Sequence, residues 1–405
     1  PSSLLLNWQD EIHKFSSNLT CQCVNGSLQK RKAAIDAFND VDILITTYDY
    51  IRRDYKLYQD HQFEYLVIDE AQYIKNPKTK NAASVKTIKA KHRFALTGTP
   101  IENSLAELWS IFDFLMPDYL FNYHYFQTHY ETPIVKNHDE QKQQELKKLI
   151  SPFILRRNKK DVLTELPEKI EKTITLEFNE EEHKLYLANL VQVNKSLQEQ
   201  LNYEKVDRIA ILAMLTRLRQ ICCEPRVLYE NITHISSKLE GCLDLIRNFQ
   251  GNNQKVLLFS SFTAVLDLII QELKKENISY YKLTGDTKKE ERHRLVKQFQ
   301  NDETTVFLIS LKAGGTGLNL TAAEAVIHFD PWWNMSAQNQ ATDRAHRIGQ
   351  QNIVTVYKLV MKDSIEEKIL ELQNKKKNLA DSFVEGNEGT ITSMSTDEII
   401  ELFKV

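Results

Sequence analysis

The sequence has little cysteine, glycine or proline and no long hydrophobic run, and each shortage excludes a class of protein. Its five cysteines form no C-x-x-C pair, so we expect reduced thiols rather than a zinc site or a disulfide framework. Eleven glycines and nine prolines in 405 residues argue against a fibrous or disordered chain. No stretch approaches the ~20 apolar residues that span a bilayer, and no signal-type segment is seen. An intracellular globular protein is expected.

A marked excess of one charge is also missing. Fifty-two Lys and Arg face 55 Asp and Glu, for a net charge of -3, so any nucleic-acid surface must be a local patch. A chain of 405 residues, 42% of them hydrophobic, is longer than one core usually supports. Two globular domains are therefore predicted.

Short apolar runs that end in polar residues or glycine indicate the fold. "DILITTYDY" (42–50), "YLVIDEAQ" (65–72) and "RFALTGTP" (93–100) are typical of buried parallel strands, and segments with helical spacing separate them. The same alternation returns after a long helical middle. The prediction is an α/β fold in four parts: a first α/β domain over 1–115, helical insertions and a linker over 116–237, a second α/β domain over 238–361, and a C-terminal helical brace over 362–405.

Two carboxylates follow one of these strands. Asp69 and Glu70 come directly after "YLVI", at the strand end where parallel sheets bind ligands. One carboxylate can hold Mg²⁺ at a nucleotide's phosphates while its neighbour acts as the base for water. The alternative is that the pair only caps the next helix. "LTGTP" (96–100), about 20 residues further on, makes the first interpretation stronger.

The second α/β domain carries a glycine-rich segment, an aromatic pair and two arginines. "KAGGTG" (312–317) permits close backbone approach to a phosphate, or is simply a turn. Trp332 and Trp333 could stack on a base, or pack in the core. "DRAHRIGQ" (343–350) is predicted to place Arg344 and Arg347 on one helical face, where they bind an anion or form surface ion pairs.

These motifs occur in an order that resembles a known family. "PSSLLLNWQDEIHKF", "VIDEAQYIKNP", "ALTGTPIEN", "SPFILRRNKKDVLTELPEK", "KLTGDTKKEERHRLVKQFQ", "SLKAGGTGLNLTAA" and "QATDRAHRIGQ" together resemble the SWI/SNF-like ATPases of helicase superfamily two. The resemblance covers essentially the whole chain. It implies two RecA-like lobes with helical insertions, ATP and Mg²⁺ in the cleft between them, and double-stranded DNA across both.

The resemblance also implies roles for particular residues. Asp69 and Glu70 are the metal and water residues of the DEAQ sequence, and Gln72, Thr97 and Gly98 couple hydrolysis to lobe movement. Gly315, Gly317, Gln340, Arg344 and Arg347 face the nucleotide. The segments expected to contact the DNA backbone contain Thr46, Thr47, Ser260, Thr284, Gly285, Ser310 and Lys312. Such contacts read phosphate, so binding is expected to be sequence-independent and to weaken with salt.

The implied function is an ATP-dependent double-stranded DNA translocase, a monomeric motor that remodels or displaces DNA-bound proteins. A strand-separating DNA or RNA helicase and a catalytically inactive DNA-binding scaffold are the alternatives. It is expected in the cytoplasm at the nucleoid of a prokaryote, or in the nucleus of a eukaryote.

One expected element is missing from the sequence. It contains no G-x-x-x-x-G-K-[ST] phosphate loop. We expect that loop upstream of Pro1, and we expect this chain without it to be inactive.

Overall fold

The computed structural model divides by its internal contacts into two compact units, Pro1–Val162 and Leu163–Val405. The four-part division predicted from the sequence stays a prediction. The structure describes residues 4–98, 105–137, 139–155, 157, 163, 166–202, 207–314, 318–333 and 335–382.

The first unit contains two pairs of parallel strands. Strand β1 pairs with β2, and β3 pairs with β4 in a register that sets Ile68 opposite Ala95. Because both pairs are parallel, the carboxyl ends of β3 and β4 lie side by side. The strands are β1 (Cys21–Cys23), β2 (Ile43–Ile45), β3 (Gln62–Ile68) and β4 (Lys89–Ala95).

Capping residues start several helices of this unit. Ser27, Thr47 and Thr79 each accept a hydrogen bond from the backbone N–H three residues on, which satisfies a donor that the first helical turn leaves free. The described helices are Leu5–Phe15, Leu28–Asp36, Tyr48–Asp54, Lys80–Lys86, Leu105–Leu115, Tyr123–Phe126, Thr132–Asn137 and Glu140–Ile150, with the π-helical turn Gln127–Glu131.

The strands of the first unit are parallel as predicted, but the prediction that they are buried is wrong. Ile68 packs into the core with Ile74, Val85 and other apolar residues. On the opposite face of β3 and β4, Tyr65 is 60% exposed and Phe94 is 52% exposed. Successive side chains of a strand alternate between faces, and the described residues of this unit cover only one face.

The second unit is built on a six-stranded parallel sheet with the order β5-β10-β9-β6-β8-β7. Its strands β6, β8 and β9 are buried along their whole length, which confirms the buried character predicted for continuous apolar runs. The strands are β5 (Lys169–Leu176), β6 (Val256–Ser260), β7 (Tyr280–Leu283), β8 (Val306–Ser310), β9 (Ala325–His328) and β10 (Val354–Met361).

Strand β5 lies in the segment that the sequence predicted to be helical. Ile174 and Leu176 pack on the core, while Glu171 faces outward and forms ion pairs with Lys169 and Lys358. This alternation of apolar and charged side chains is the pattern of a half-buried strand, and β5 lies at one edge of the sheet. Pairing with β10 over eight residues then stabilises it.

Helices surround this sheet and add a helical layer of their own. Tyr186, Ile211, Leu215 and Ile365 form a separate core cluster between the long helices. None of the described helices combines the length and the apolar character needed to cross a membrane, and the five cysteines are free thiols. The described helices of this unit are Glu180–Asn202, Arg208–Cys223, Ser237–Gly251, Thr263–Lys275, Lys289–Asn301, Leu311–Gly314, Met335–Thr342 and Ile365–Ser382.

Candidate functional site

The predicted carboxylates lie at the carboxyl end of β3, beside the end of β4. Leu96 N–H donates to the Ile68 carbonyl at 2.8 Å, and Ala71 N–H donates to the Leu96 carbonyl at 2.9 Å. These bonds join the two segments that follow the strands. The structure therefore brings together Asp69, Glu70, Gln72, Thr97 and Gly98, which we call the strand-end site.

A chain of hydrogen bonds links the members of this site. The Gln72 amide donates to Glu70 Oε2 at 2.6 Å, and the Thr97 hydroxyl donates to Gln72 Oε1 at 3.1 Å. Gln72 thus holds the Glu70 carboxylate on one side and contacts the neighbouring strand's loop on the other. The helix-cap alternative does not describe Glu70, because its side chain makes no capping bond to the short helical turn that follows.

The backbone of Glu70 is in the left-handed region, with φ 53° and ψ 56°. A residue with a Cβ carries a cost of order 1–3 kcal/mol in sparsely populated backbone regions, and such residues cluster at functional sites. Asp69 Oδ1 stabilises this turn by accepting the Glu70 N–H at 2.8 Å.

Two aromatic residues that the sequence analysis did not single out also contact Asp69. The Trp8 indole N–H donates to Asp69 Oδ2 at 3.0 Å, and the Tyr48 hydroxyl donates to the Asp69 carbonyl at 2.8 Å. Burial raises the pKa of Tyr48, and the charges of Asp69 and Glu70 raise it further, so the hydroxyl stays a donor. Trp8 lies in the quoted "LLLNWQDEI" segment, but nothing local indicates its partner, 61 residues further along the chain.

An open cleft of about 360 Å³ lies at this edge, lined by Asp69, Glu70, Ala95, Leu96, Thr97, Gly98 and Leu155. A Cβ added at Gly98 would meet no heavy atom of the described residues within 4 Å, so packing among those residues does not require this glycine. Each Asp69 oxygen accepts one of these hydrogen bonds, and a carboxylate oxygen has the capacity to accept a further ligand.

The donor set suits Mg²⁺ bound together with a phosphate-bearing ligand. No group of three or more His, Cys, Asp or Glu within the described ranges could hold a metal ion. Mg²⁺ in phosphate sites is usually held by one or two carboxylates, with water and phosphate oxygens as its other ligands. Asp69, with Glu70 beside it, fits that pattern.

The two predicted arginines of the second unit are not on a helical face, and that part of the prediction is wrong. The helix Met335–Thr342 ends before them, and i→i−3 bonds such as Ala345 N–H to the Thr342 carbonyl at 3.1 Å close turns instead. The left-handed Gly349, with φ 101°, follows these turns. The helical spacing of "QATDRAHRIGQ" therefore extends past the real end of the helix.

Both arginines donate hydrogen bonds to backbone carbonyls in or next to the glycine-rich segment. Arg344 is 9% exposed and its Nε donates to the Gly314 carbonyl at 3.1 Å. The Arg347 Nη1 donates to the Leu318 carbonyl at 3.2 Å. The two acceptors are four residues apart in the sequence. Gly315 and Gly317 lie outside the described residues, and Gln340 lies half-buried on the helix Met335–Thr342.

Gly314 has a packing role that the sequence did not reveal. A Cβ at this position would lie 2.6 Å from the Phe259 ring, so the small residue is needed where the backbone meets the sheet. Of the two alternatives for the tryptophan pair, stacking on a base or packing in the core, the structure shows core packing. Trp332 and Trp333 each pack against a hydrophobic core cluster.

The residues predicted to contact DNA differ in their accessibility. Thr47, Ser260 and Ser310 are buried, at 3%, 1% and 5% exposure. Thr46 and Thr284 are half-buried, while Gly285 and Lys312 are exposed. Only Lys312 and Gly285 offer a freely accessible surface, and the predicted DNA contacts of the set stay predictions.

Parallel strands with acidic and hydroxyl residues at their carboxyl ends, in two α/β units, are the architecture of RecA-like lobes. Within the class of proteins with such lobes, the chain belongs to the SNF2-related family. The model of the SNF2-related domain matches residues 1–227, and that of the helicase conserved C-terminal domain matches 237–349. The predicted family and its α/β fold are thereby confirmed.

Curated relatives agree with this membership. An uncharacterized ATP-dependent helicase of Mycoplasma genitalium is 39% identical over 405 residues, which is all of this chain and 38% of the relative. YwqA of Bacillus subtilis, which carries the name of an ATP-dependent helicase/translocase, is 39% identical over all of this chain and 44% of its own length. The chain thus spans about two fifths of these relatives.

A solved structure is also similar. The Sulfolobus solfataricus SWI2/SNF2 ATPase core domain is 35% identical, with a TM-score of 0.50, over 100% of this chain and 83% of that one.

Proposed function

We propose that the protein is an ATP-driven motor on nucleic acid, and specifically a double-stranded DNA translocase that remodels or displaces DNA-bound proteins. The observation that carries this proposal is the strand-end site, where Glu70 is strained, hydrogen-bonded by Gln72 and connected through it to Thr97. Membership of a family whose relatives are named as ATP-dependent helicases supports it.

In the proposed reaction, the residues of the strand-end site prepare water for attack on ATP. A water oxygen bonds to the γ-phosphorus, the water proton passes to the Glu70 carboxylate, and the bond from the γ-phosphorus to the ADP oxygen breaks. Asp69 would hold Mg²⁺, which when bound neutralises phosphate charge. The Gln72 amide fixes the orientation of Glu70, and the Trp8 indole fixes that of Asp69.

Gln72 is also the proposed start of mechanical coupling. Its amide contacts Glu70 and Thr97 together, so a shift of the loop after β4 must move the Glu70 carboxylate or break a hydrogen bond. Loss of the γ-phosphate is the event that we propose drives this shift. The roles of Gln340, Arg344 and Arg347 at the nucleotide belong to the same proposal.

The proposal extends to partners and location. We propose double-stranded DNA as the track, other DNA-bound proteins as the targets, a monomer as the active form, and the nucleoid or nucleus as the location. We also propose that the 405 residues alone do not hydrolyse ATP, because they contain no G-x-x-x-x-G-K-[ST] loop to bind the phosphates.

Phosphate release by the full-length protein, with and without linear duplex DNA, tests the activity. Glu70→Gln removes the proton acceptor and keeps the side-chain volume, so we expect turnover to fall by roughly 10²–10⁴-fold while nucleotide binding remains. Glu64→Gln, at an exposed carboxylate of β3 that pairs with Lys91, is the matched control and should keep normal turnover. Equal ATP turnover by the wild-type protein and by Glu70→Gln would contradict the proposed site.

Two further assays separate the alternatives. Displacement of a third strand from a triplex reports translocation along a duplex, and release of a strand from a forked duplex reports strand separation. We expect the first and not the second. Strand release would favour the helicase alternative, and duplex binding by a full-length protein without ATP turnover would favour the scaffold.

A further inference from the structure

A buried polar cluster in the second unit lies outside the residues assigned to nucleotide or DNA. Its centre is Arg219, on the helix Arg208–Cys223, which is 2% exposed. The Arg219 Nη2 donates to Asp330 Oδ2 at 2.8 Å, to the Pro331 carbonyl at 3.0 Å and to Ser261 Oγ at 3.2 Å. One guanidinium nitrogen thus contacts the segments that follow β6 and β9.

Asp330 joins the same two segments from the other side. Its Oδ1 accepts the Ser260 hydroxyl at 2.7 Å and the Ser261 N–H at 3.0 Å. Asp330 is 2% exposed, so this carboxylate is satisfied by the loop after β6 and by Arg219. Any movement of Ser260 away from Asp330 leaves a buried charged group with fewer partners, which is strongly unfavourable.

Aromatic rings enclose the guanidinium. The Arg219 Cζ lies 5.0 Å from the Phe262 ring, 5.0 Å from the Trp332 ring and 5.9 Å from the Trp333 ring, within the range of cation–π attraction. A planar guanidinium can stack on rings and hydrogen-bond at its edge at once, and a lysine ammonium cannot. The cluster therefore specifies arginine rather than a positive charge alone.

The cluster continues into the helix that precedes Arg344. The Gln373 amide donates to the Trp332 carbonyl and, at 2.9 Å, to Gln338 Oε1. Gln338 lies on the helix Met335–Thr342, which also carries Gln340. Polar contacts thus run from the loop of Ser260, through Asp330 and the tryptophan segment, to the residues predicted to face the nucleotide.

We propose that Arg219 is a positioning residue that locks the segments 260–262 and 330–333 together, so that DNA contact at the half-buried residues 261–262 is transmitted to the nucleotide-facing helix through the second segment. This inference rests on the proposed function. Fold stability is a weak explanation for a buried ion pair, because replacing one with well-packed apolar residues of similar volume is often neutral or stabilising.

A matched control exists in the same unit. Lys238 and Glu366 form an ion pair at 2.7 Å with both side chains fully buried, and among the described residues neither charged group hydrogen-bonds to segment 260–262 or 330–333. This ion pair joins the helices Ser237–Gly251 and Ile365–Ser382. Its removal should perturb the core to a similar extent without breaking the proposed connection.

The experiment uses the full-length protein and three variants: Arg219→Met with Asp330→Asn, Arg219→Lys, and Lys238→Met with Glu366→Gln. Urea unfolding first establishes which variants fold. ATP turnover is then measured with and without linear duplex DNA. We expect the Arg219→Met pair to lose DNA stimulation by on the order of tenfold, a typical size for coupling between sites, while KM for ATP changes by less than about twofold.

Arg219→Lys keeps the charge and should fold even if the double variant does not. We expect it to lose DNA stimulation by at least about fivefold, because a compact ammonium lacks the planar face that packs against the aromatic rings. The Lys238→Met pair should keep normal stimulation. The inference is overturned if every Arg219 variant that folds keeps normal DNA stimulation of ATP turnover. It is also overturned if the Lys238→Met pair loses as much DNA stimulation as the Arg219 variants. Either result leaves the proposed function standing. Absence of DNA-stimulated turnover in the wild-type protein overturns both.

Discussion

A drop in pH should destabilise the second unit through one histidine, His328. This residue ends β9 in the middle of the six-stranded sheet and is 2% exposed. Its Nε2 lies 2.8 Å from the Thr342 hydroxyl, and its ring stacks near Phe259. Burial lowers the pKa of His328 from 6.5 to about 4, and the charge of Lys358 contributes in the same direction.

The size of the effect follows from the two pKa values. Because the folded pKa lies below the unfolded one, the unfolded chain binds a proton between pH 6.5 and pH 4 and the folded chain does not. The stability associated with neutral His328 is therefore complete above that window and is lost as pH falls through it. The total is about 3 kcal/mol, of which about 2 kcal/mol is lost between pH 7 and pH 5.

Urea unfolding at pH 7 and pH 5, followed by tryptophan fluorescence, measures this loss. His328→Asn keeps an amide that can hydrogen-bond to Thr342 and removes the titrating group. We expect its free energy of unfolding to fall between these pH values by about 2 kcal/mol less than that of the wild type. His293→Asn, outside the sheet on the helix Lys289–Asn301, is the control for the loss of a histidine elsewhere in the same unit. Equal pH dependence in wild type and His328→Asn would refute the reasoning.

Three other predictions concern the strand-end site and the core. Gln72→Leu removes the hydrogen bond to Glu70, a contact with a charged group worth roughly 1.5–3 kcal/mol, so kcat of the full-length protein should fall by roughly 10- to 100-fold. Thr97→Val leaves that bond intact and should lower kcat less. A larger loss of kcat in Thr97→Val than in Gln72→Leu, measured by steady-state kinetics, would contradict the proposed coupling through Gln72. Trp8→Phe removes a partner of Asp69 and should raise the Mg²⁺ concentration for half-maximal turnover by on the order of tenfold, whereas Trp109→Phe, whose indole donates to the Phe121 carbonyl instead, should leave it unchanged. Lys238→Met alone leaves the Glu366 carboxylate buried without its ion-pair partner and should lower the free energy of unfolding in urea by about 3–5 kcal/mol. The double variant Lys238→Met with Glu366→Leu should lose much less. An equal loss in the single and double variants would show that the ion pair itself stabilises the fold.

Much of the strand-end site could be predicted because its information is local. Asp69, Glu70 and Gln72 are close in sequence, and the apolar runs before them and before Thr97 predict two strands whose ends meet in a parallel pair. The register that brings Thr97 to Gln72 follows from that pairing. Trp8 and Tyr48 were missed because their contacts with Asp69 depend on where separate helices pack.

The arginines of "DRAHRIGQ" show the opposite case. Helical spacing correctly covers Met335–Thr342, but it contains no signal for the turns that follow. Arg344 and Arg347 find their acceptors at Gly314 and Leu318, about 30 residues earlier. Contacts at that separation, rather than local propensity, determine the path of the chain after Thr342.

The sequence by itself determined the class of fold, the order of the motifs and the acidic pair at a strand end, because hydrophobic periodicity and strand-end chemistry are properties of neighbouring residues. Only the tertiary structure decided that β5 joins the sheet, that one face of β3 and β4 is exposed, and that Arg219 meets Asp330 at a distance of 111 residues along the chain. A buried charge must find its partner wherever packing places one, and the packing of distant elements cannot be deduced from the residues beside it in the chain.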